Sequence, residues 1–241
     1  MVNVKKIAHL WYPARCPFCD GVRFSSVFFE TEAVCQECRG KPIYVTEPSC
    51  KRCGKPIEHE RQEYCYDCQR NHREYTQGKA VWVHKGIVKE SVYRFKYQNR
   101  REYAAYYAQE IVRIYGDWIR ARGIDGIVPV PLHKSRRRQR GYNQAELLAQ
   151  EVGRRMDLPV YPKLLLRVRK TKAQKRLDDR ERKNNLKKAF KIGKNKVQLE
   201  HILIIDDIYT TGSTINEAAA ELKKTGAVDI YYISISIGHG Y

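Results

Sequence analysis

Eight cysteines constrain this chain more than any other feature. All lie between Cys16 and Cys68, and all fall in C-x-x-C pairs: Cys16/Cys19, Cys35/Cys38, Cys50/Cys53 and Cys65/Cys68. A C-x-x-C turn aims two thiolates at one tetrahedral ion, so two turns complete a four-cysteine site. The pattern predicts two structural zinc ions. A disulfide framework could use the same residues, but it belongs to oxidising compartments. Several pairs also carry the turn-forming followers of zinc knuckles, as in CPFCDG, CQECRG and CKRCGKP. With 15 residues between the first two pairs and 11 between the last two, sequential closure is simplest. It puts Cys16, Cys19, Cys35 and Cys38 on one ion and Cys50, Cys53, Cys65 and Cys68 on the other. A cross-braced pairing satisfies the same spacing.

The compartment follows from what surrounds those cysteines. No apolar run approaches the roughly 20 residues that span a bilayer. The opening MVNVKKIAHLWYPARC has a basic dipeptide but no apolar stretch or small-residue cleavage site behind it, unlike a signal peptide. The expectation is a cytoplasmic protein with its thiols reduced.

Charge is distributed unevenly. The formal net charge is +19, and residues 81–241 hold 33 Lys/Arg against 17 Asp/Glu. An excess of that size implies a polyanionic partner or an anionic substrate, unless it is only a solvated surface. A hydrophobic share of 42% is ordinary for a folded chain and argues against wholesale disorder.

The division predicted is a double zinc-ribbon module over residues 1–75 and an α/β domain over 80–241, with 71–79 as the polar exit of the first. Residues 86–97 and 101–120 place apolar side chains at helical spacing, with Tyr103, Tyr107, Ile111, Ile114 and Trp118 on one face. That aromatic stripe reads as core. Strands are expected at 126–131, 160–168, 201–206 and 228–237, and helices at 141–156 and 213–226. Leu147, Leu148 and Val152 should point inward from the first of these helices, and Gly226 should close the second. Strands alternating with helices predict an α/β fold with a doubly wound, mostly parallel sheet.

One stretch carries chemistry beyond folding. The apolar strand ending IIDDIYTTGST, residues 204–214, runs through two acids into a hydroxyl-rich turn and a helix. Gly212 allows the backbone to turn so that successive amides face an anion, and the next helix aims its positive end at the same place. Thr210, Thr211, Ser213 and Thr214 add donors. Asp206 and Asp207 would repel a phosphate, but they suit adjacent sugar hydroxyls. A helix cap with solvated acids accounts for one hydroxyl, not for the whole series.

This stretch resembles the phosphoribosyl-pyrophosphate (PRPP) loop of type I phosphoribosyltransferases. The resemblance implies that Asp206 and Asp207 hold the ribose hydroxyls, while Thr210, Thr211, Gly212, Ser213 and Thr214 cradle the 5′-phosphate. It also implies a pyrophosphate loop after the first core strand, at VPVPLH (128–133), through Val130, Pro131, Leu132 and His133, usually working with Mg2+. Two further stretches are similar to the competence protein F (ComF) family. RRRQRGYNQAELLA (136–149) matches its R-x-R-G-[FY]-N-Q-A signature at Arg138, Arg140, Gly141, Tyr142, Asn143, Gln144 and Ala145. The region 169–190 matches a second pattern through Thr171, Gln174, Leu177, Arg182, Asn185 and Phe190.

Two basic clusters flank the expected site. KSRRRQR (134–140) holds five Lys/Arg in seven residues, and residues 163–188 hold 12 against three acids. Neutralising a pyrophosphate takes fewer cations than this. The surplus predicts contact with single-stranded nucleic acid through Lys134, Arg136, Arg137, Arg138 and Arg140, with Asn143 and Gln144 as neutral donors, although a mobile lid of solvated lysines would look similar. The family resemblance implies handling of single-stranded DNA during natural transformation, beside a helicase partner met through the zinc module. The competing expectation is a working phosphoribosyltransferase with an unknown acceptor. Only Gly238 to Tyr241 follow the last expected strand, which leaves little room for a C-terminal hood over a base. A third reading is a zinc-ribbon adaptor with a degenerate transferase domain, and the complete loop speaks against it.

Overall fold

The computed structural model describes residues 14–23, 33–169, 189–194 and 197–238. After a 3-10 turn at Gln36–Cys38 come helix α1 (Tyr66–Arg70), strand β1 (Gln77–Val83), α2 (Gly86–Tyr97) and α3 (Tyr103–Arg120). They are followed by β2 (Gly126–Pro129), α4 (Lys134–Arg140), α5 (Gln144–Met156), β3 (Leu165–Arg167) and β4 (Phe190–Ile192). The chain ends with β5 (His201–Tyr209), α6 (Ser213–Leu222) and β6 (Asp229–Ile237).

Four strands form one sheet in the order β1-β6-β5-β2, and every pairing is parallel. Central strands of such a sheet are covered on both faces, which explains why β5 and β6 read as nearly continuous apolar runs. Successive side chains point to opposite faces. Leu203, Ile205, Ile233 and Ile235 pack with α2, α3 and α5. Ile202, Ile204, Ile230 and Tyr232 pack with α6 and the β3–β4 hairpin. The expected α/β class with a parallel, doubly wound sheet is what the chain forms.

The stripe on α3 is core. Tyr103, Tyr107 and Ile111 are buried, while Ile114 and Trp118 pack at its margin. Strand β1 begins within the stretch expected as a polar exit, because Gln77, Gly78 and Lys79 look like loop residues. Gly78 is required there: a Cβ at this position would lie 1.8 Å from the Tyr232 ring.

The expected strand over 160–168 is corrected. Val160 makes a single parallel bridge to Ile127, and Leu165–Arg167 pairs antiparallel with Phe190–Ile192 in a separate two-stranded sheet. Pro159 and Pro162 bracket the bridge and donate no backbone hydrogen bond, so the ladder stops after Ile127 N–H to Pro159 O (2.9 Å) and Tyr161 N–H to Ile127 O (2.8 Å).

This detour sets the topology. Ile127 lies between Leu203 of β5 on one side and Val160 on the other. Helix α5 therefore carries the chain outward past β2, and β5 and β6 then fill the other side. The crevice between the carboxyl ends of β2 and β5 is a topological switch point, where open parallel sheets bind ligands.

The cysteine-rich segment is built into this fold. Val45 N–H donates to Val81 O (3.0 Å) and Val83 N–H to Ile43 O (2.8 Å), covering the outer edge of β1. Phe18 lies edge-on to Trp82 with ring centroids 5.6 Å apart. Asp20 accepts from Arg100 at 2.6 Å and from the Tyr103 hydroxyl at 2.5 Å.

Candidate functional site

The cysteines come together in the sequential arrangement, Cys16/Cys19/Cys35/Cys38 and Cys50/Cys53/Cys65/Cys68, with the sulfurs of each group within 4.8 Å of one another. A tetrahedral ion with bonds of about 2.3 Å separates its sulfurs by about 3.8 Å. Cys19 and Cys35 Sγ lie 3.7 Å apart, and Cys53 and Cys65 Sγ 3.5 Å. A disulfide needs about 2.05 Å, and all eight thiols are free. The donor sets fit structural zinc. The knuckle at Cys50–Gly54 seats directly on β1. Gly78 N–H donates to Arg52 O at 2.8 Å, and Gly54 (φ 69°) approaches so closely that a Cβ would meet Gly78 O at 2.8 Å.

At the switch point, β5 continues three residues beyond the expected strand, so Asp206 and Asp207 are strand residues, both half-buried. An Asp207 carboxylate oxygen lies 2.8 Å from Lys96 Nζ of α2. Asp206 Oδ1 accepts from the Asp207 N–H at 2.8 Å. Burial and the adjacent Asp207 charge raise the Asp206 carboxyl from 3.8 to about 7, against the opposing pull of Lys96 and Arg167. These are two acceptors of unequal character: one is neutralised by a lysine, and the other is poised to gain or lose a proton near neutrality.

The turn that follows is shaped for an anion. Gly212 adopts φ 78° and caps α6 without a side-chain hydrogen bond, and the positive end of that helix favours an anion beside the turn. Thr211 Oγ1 and Ser213 Oγ are 2.9 Å apart. A Cβ on Gly212 would lie 2.2 Å from the Tyr209 hydroxyl. That hydroxyl is itself 2.7 Å from the Tyr75 hydroxyl. The Tyr209 ring stacks on Tyr232 at 4.9 Å and 5°, and Tyr232 Oη donates to Cys53 O at 2.7 Å. A column of buried tyrosines thus joins the second cysteine site to the underside of the loop. Glu74 N–H adds a 2.7 Å bond to Asn216 Oδ1 on α6.

Across the crevice, Val130 N–H donates to Ile205 O at 2.9 Å, so Val130, Pro131, Leu132 and His133 leave β2 alongside the end of β5. His133 Nδ1 accepts from Ser135 N–H at 3.3 Å and caps α4. This short helix is the basic cluster. Lys134, Arg137 and Arg138 are exposed, while Arg136 and Arg140 are half-buried. Burial and then Arg140 lower the pKa of Arg136. Burial and then Arg136 bring Arg167, on β3, down to about 10. Cations crowded at partial burial are stabilised by an anion between them.

Two predicted contacts do not fit the geometry. Gln144 is buried, donating to the carbonyls of Phe95 (3.5 Å) and Lys96 (3.2 Å) and accepting from Arg140 (3.1 Å). Asn143 is buried, donating to Val130 O (3.1 Å) and capping α5 through Ala145 N–H (3.3 Å). Both amides hold the loop and helices together and present nothing to a passing strand. Of the second signature, Thr171, Gln174, Leu177, Arg182 and Asn185 lie outside the described residues. Phe190 is buried beneath Arg167. Sequence reasoning missed Lys96, Arg167 and the tyrosine column. Lys96 and Arg167 reach the site from elements outside any local motif, and Tyr75 and Tyr232 meet Tyr209 of the 204–214 stretch only through folding.

Comparison with known proteins agrees with this layout. Residues 7–69 match the family model of the double zinc ribbon domain. The chain is 30% identical to competence protein F of Haemophilus influenzae over 221 residues, 90% of this chain and 93% of that one. It is 29% identical to competence protein ComFC of Bacillus subtilis, covering 81% of this chain and 80% of that protein. It is 33% identical to DNA utilization protein YhgH of Salmonella typhimurium, covering 75% and 80%.

Proposed function

The chain belongs to the competence protein F family, and on that premise we propose that it binds a phosphoribosyl group and handles single-stranded DNA during DNA uptake. The ligand is PRPP with Mg2+, or a related ribose phosphate. The observation that carries this reading is a convergence at the switch point. Two acids suited to a diol, a glycine-hydroxyl turn at a helix N-terminus and a cationic helix all border one crevice. Asp206 and Asp207 accept from the ribose hydroxyls, the 210–214 turn holds the 5′-phosphate, and the 130–133 loop with Arg136 and Arg167 faces the pyrophosphate. Magnesium, when bound, offsets the charge of the pyrophosphate oxygens.

Lys134, Arg137 and Arg138 on the exposed side of α4 take the DNA backbone. The names of the relatives, a competence protein and a DNA utilization protein, support this assignment. A cytoplasmic location suits such a role, and no helix among the described residues is long and apolar enough to cross a membrane. The zinc-ribbon segment leaves Val22, Ile43 and Tyr66 exposed, apolar side chains open to a helicase partner.

Calorimetric titration with PRPP and Mg2+ tests the site. Asp206→Asn/Asp207→Asn should weaken binding by about 1–3 kcal/mol through lost charge-assisted hydrogen bonds. Equal affinity in wild type and variant would overturn the assignment. The completeness of the loop also favours a second reading, transfer of ribose 5-phosphate from PRPP to an acceptor. Pyrophosphate release from PRPP, measured with and without single-stranded DNA and free nucleobases, distinguishes turnover from binding alone.

A further inference from the structure

Helix α2 buries Val88, Ser91, Val92 and Phe95 and leaves Tyr93 and Tyr97 more than half exposed, at 51% and 52%. At i and i+4 the two side chains lie on one stripe, and their rings are 5.0 Å apart and tilted by 43°. The stripe begins with Lys89. It ends at Arg140 of α4, whose guanidinium lies 4.6 Å from the Tyr97 ring centroid and donates to the Tyr97 hydroxyl at 3.0 Å. Both tyrosines line a cleft of about 540 Å3, which also takes in Lys96 and Ile208. Through the 2.8 Å Lys96–Asp207 pair, this cleft abuts the acids at the end of β5. The acid in its wall, Glu90, is paired with Arg94 at 3.3 Å.

Two neighbouring aromatic side chains left exposed in a cleft bordered by cations make a surface with two affinities at once. The rings accept the flat face of a base, and the lysines and arginines accept phosphates. A folded duplex hides its base faces, whereas a single strand offers them. We propose that Tyr93 and Tyr97 form a base-stacking platform for single-stranded nucleic acid, running from Lys89 to Arg140 and delivering the strand to the phosphoribosyl site. The proposal rests on the single-strand reading above and deepens it by naming the surface that grips the bases. The strand's backbone lies along α4 while its bases turn into the cleft.

The test compares a fluorescent oligothymidylate with an abasic strand of equal length, by anisotropy at fixed salt. Wild type should prefer the strand with bases. Tyr93→Ala should reduce that preference roughly tenfold, and Tyr93→Ala/Tyr97→Ala should abolish it, with binding of the abasic strand unchanged. Tyr93→Phe, which keeps the ring face, should restore the preference. Equal affinity of wild type for the two strands, or a preference that survives in the double variant, overturns the platform and leaves backbone binding intact. If wild type binds neither strand, the single-strand reading fails and the platform fails with it.

Discussion

Asp206 is the residue whose chemistry is most exposed to experiment. Its folded-state pKa of about 7 lies above the ordinary 3.8, because burial and Asp207 disfavour its charge. The native protein therefore holds a proton that the unfolded chain releases between those values, so stability falls as pH rises through that window. Asp206→Asn removes the penalty. Thermal unfolding should show the variant more stable than wild type at pH 8 and equal to it at pH 4. A variant less stable than wild type at pH 8 would mean that the carboxylate is held charged. Binding has the opposite dependence, since an ionised carboxylate is the better acceptor for a ribose hydroxyl. Affinity for a ribose phosphate should rise with pH through about 7 in wild type beyond any rise left in the variant.

At the scale of elements, the second zinc site and the proposed phosphate loop share one core. Cys53, Tyr75, Tyr209 and Tyr232 are all buried in the same core as α6, and the hydroxyl of Tyr209 occupies the space a side chain on residue 212 would need. Structural zinc contributes much of the folding energy of a small module, and the tyrosine column joins that module to the underside of the 210–214 turn. Cys53→Ser should speed amide exchange in 204–216, whereas Cys19→Ser, at an exposed thiol outside that core, should leave the segment protected. Equal exchange in the two variants would contradict the coupling.

The same column shows why part of the fold was illegible in the sequence. Strands β5 and β6 and helices α2, α3, α5 and α6 announce themselves through apolar periodicity and Gly punctuation. Strand β1 does not, because Gly78 and the polar Gln77 and Lys79 are chosen for contacts with Tyr232, Trp118 and the zinc knuckle. The cysteine segment differs from the sheet in composition, so its contacts with β1 are not visible in the sequence. Segment and sheet pack together because two small ribbons bury little by themselves, and the uncovered edge of β1 needs a partner.

At the scale of the whole molecule, charge and topology meet. Parallel strands put all four carboxyl ends on one rim, and residues 81–241 bring 33 Lys/Arg to the domain behind it. The local parts of the site, the acids and the glycine-hydroxyl turn, could be read from the sequence because one strand-turn-helix carries them. Lys96, Arg167 and Tyr97 could not, because only folding brings α2 and β3 to the end of β5 and to α4. Asn143 and Gln144 look like free donors in a basic motif, yet burial turns them into fasteners. Lys96, Arg167 and the cations of α4 thus lie around two acids, and the two kinds of residue should respond to DNA in opposite ways.

Single-strand affinity as a function of salt measures that contrast most directly. In a log–log plot each neutralised phosphate contributes a slope of roughly −0.7. Lys134→Ala/Arg137→Ala/Arg138→Ala, which changes the exposed side of α4, should flatten the slope by about 2 and weaken binding alike for all sequences. Asp206→Asn/Asp207→Asn should leave the slope intact and single-strand binding unchanged or tighter, while weakening PRPP binding. Weak, salt-insensitive binding that is the same in wild type and the triple variant would contradict the account and leave phosphoribosyl transfer as the leading reading.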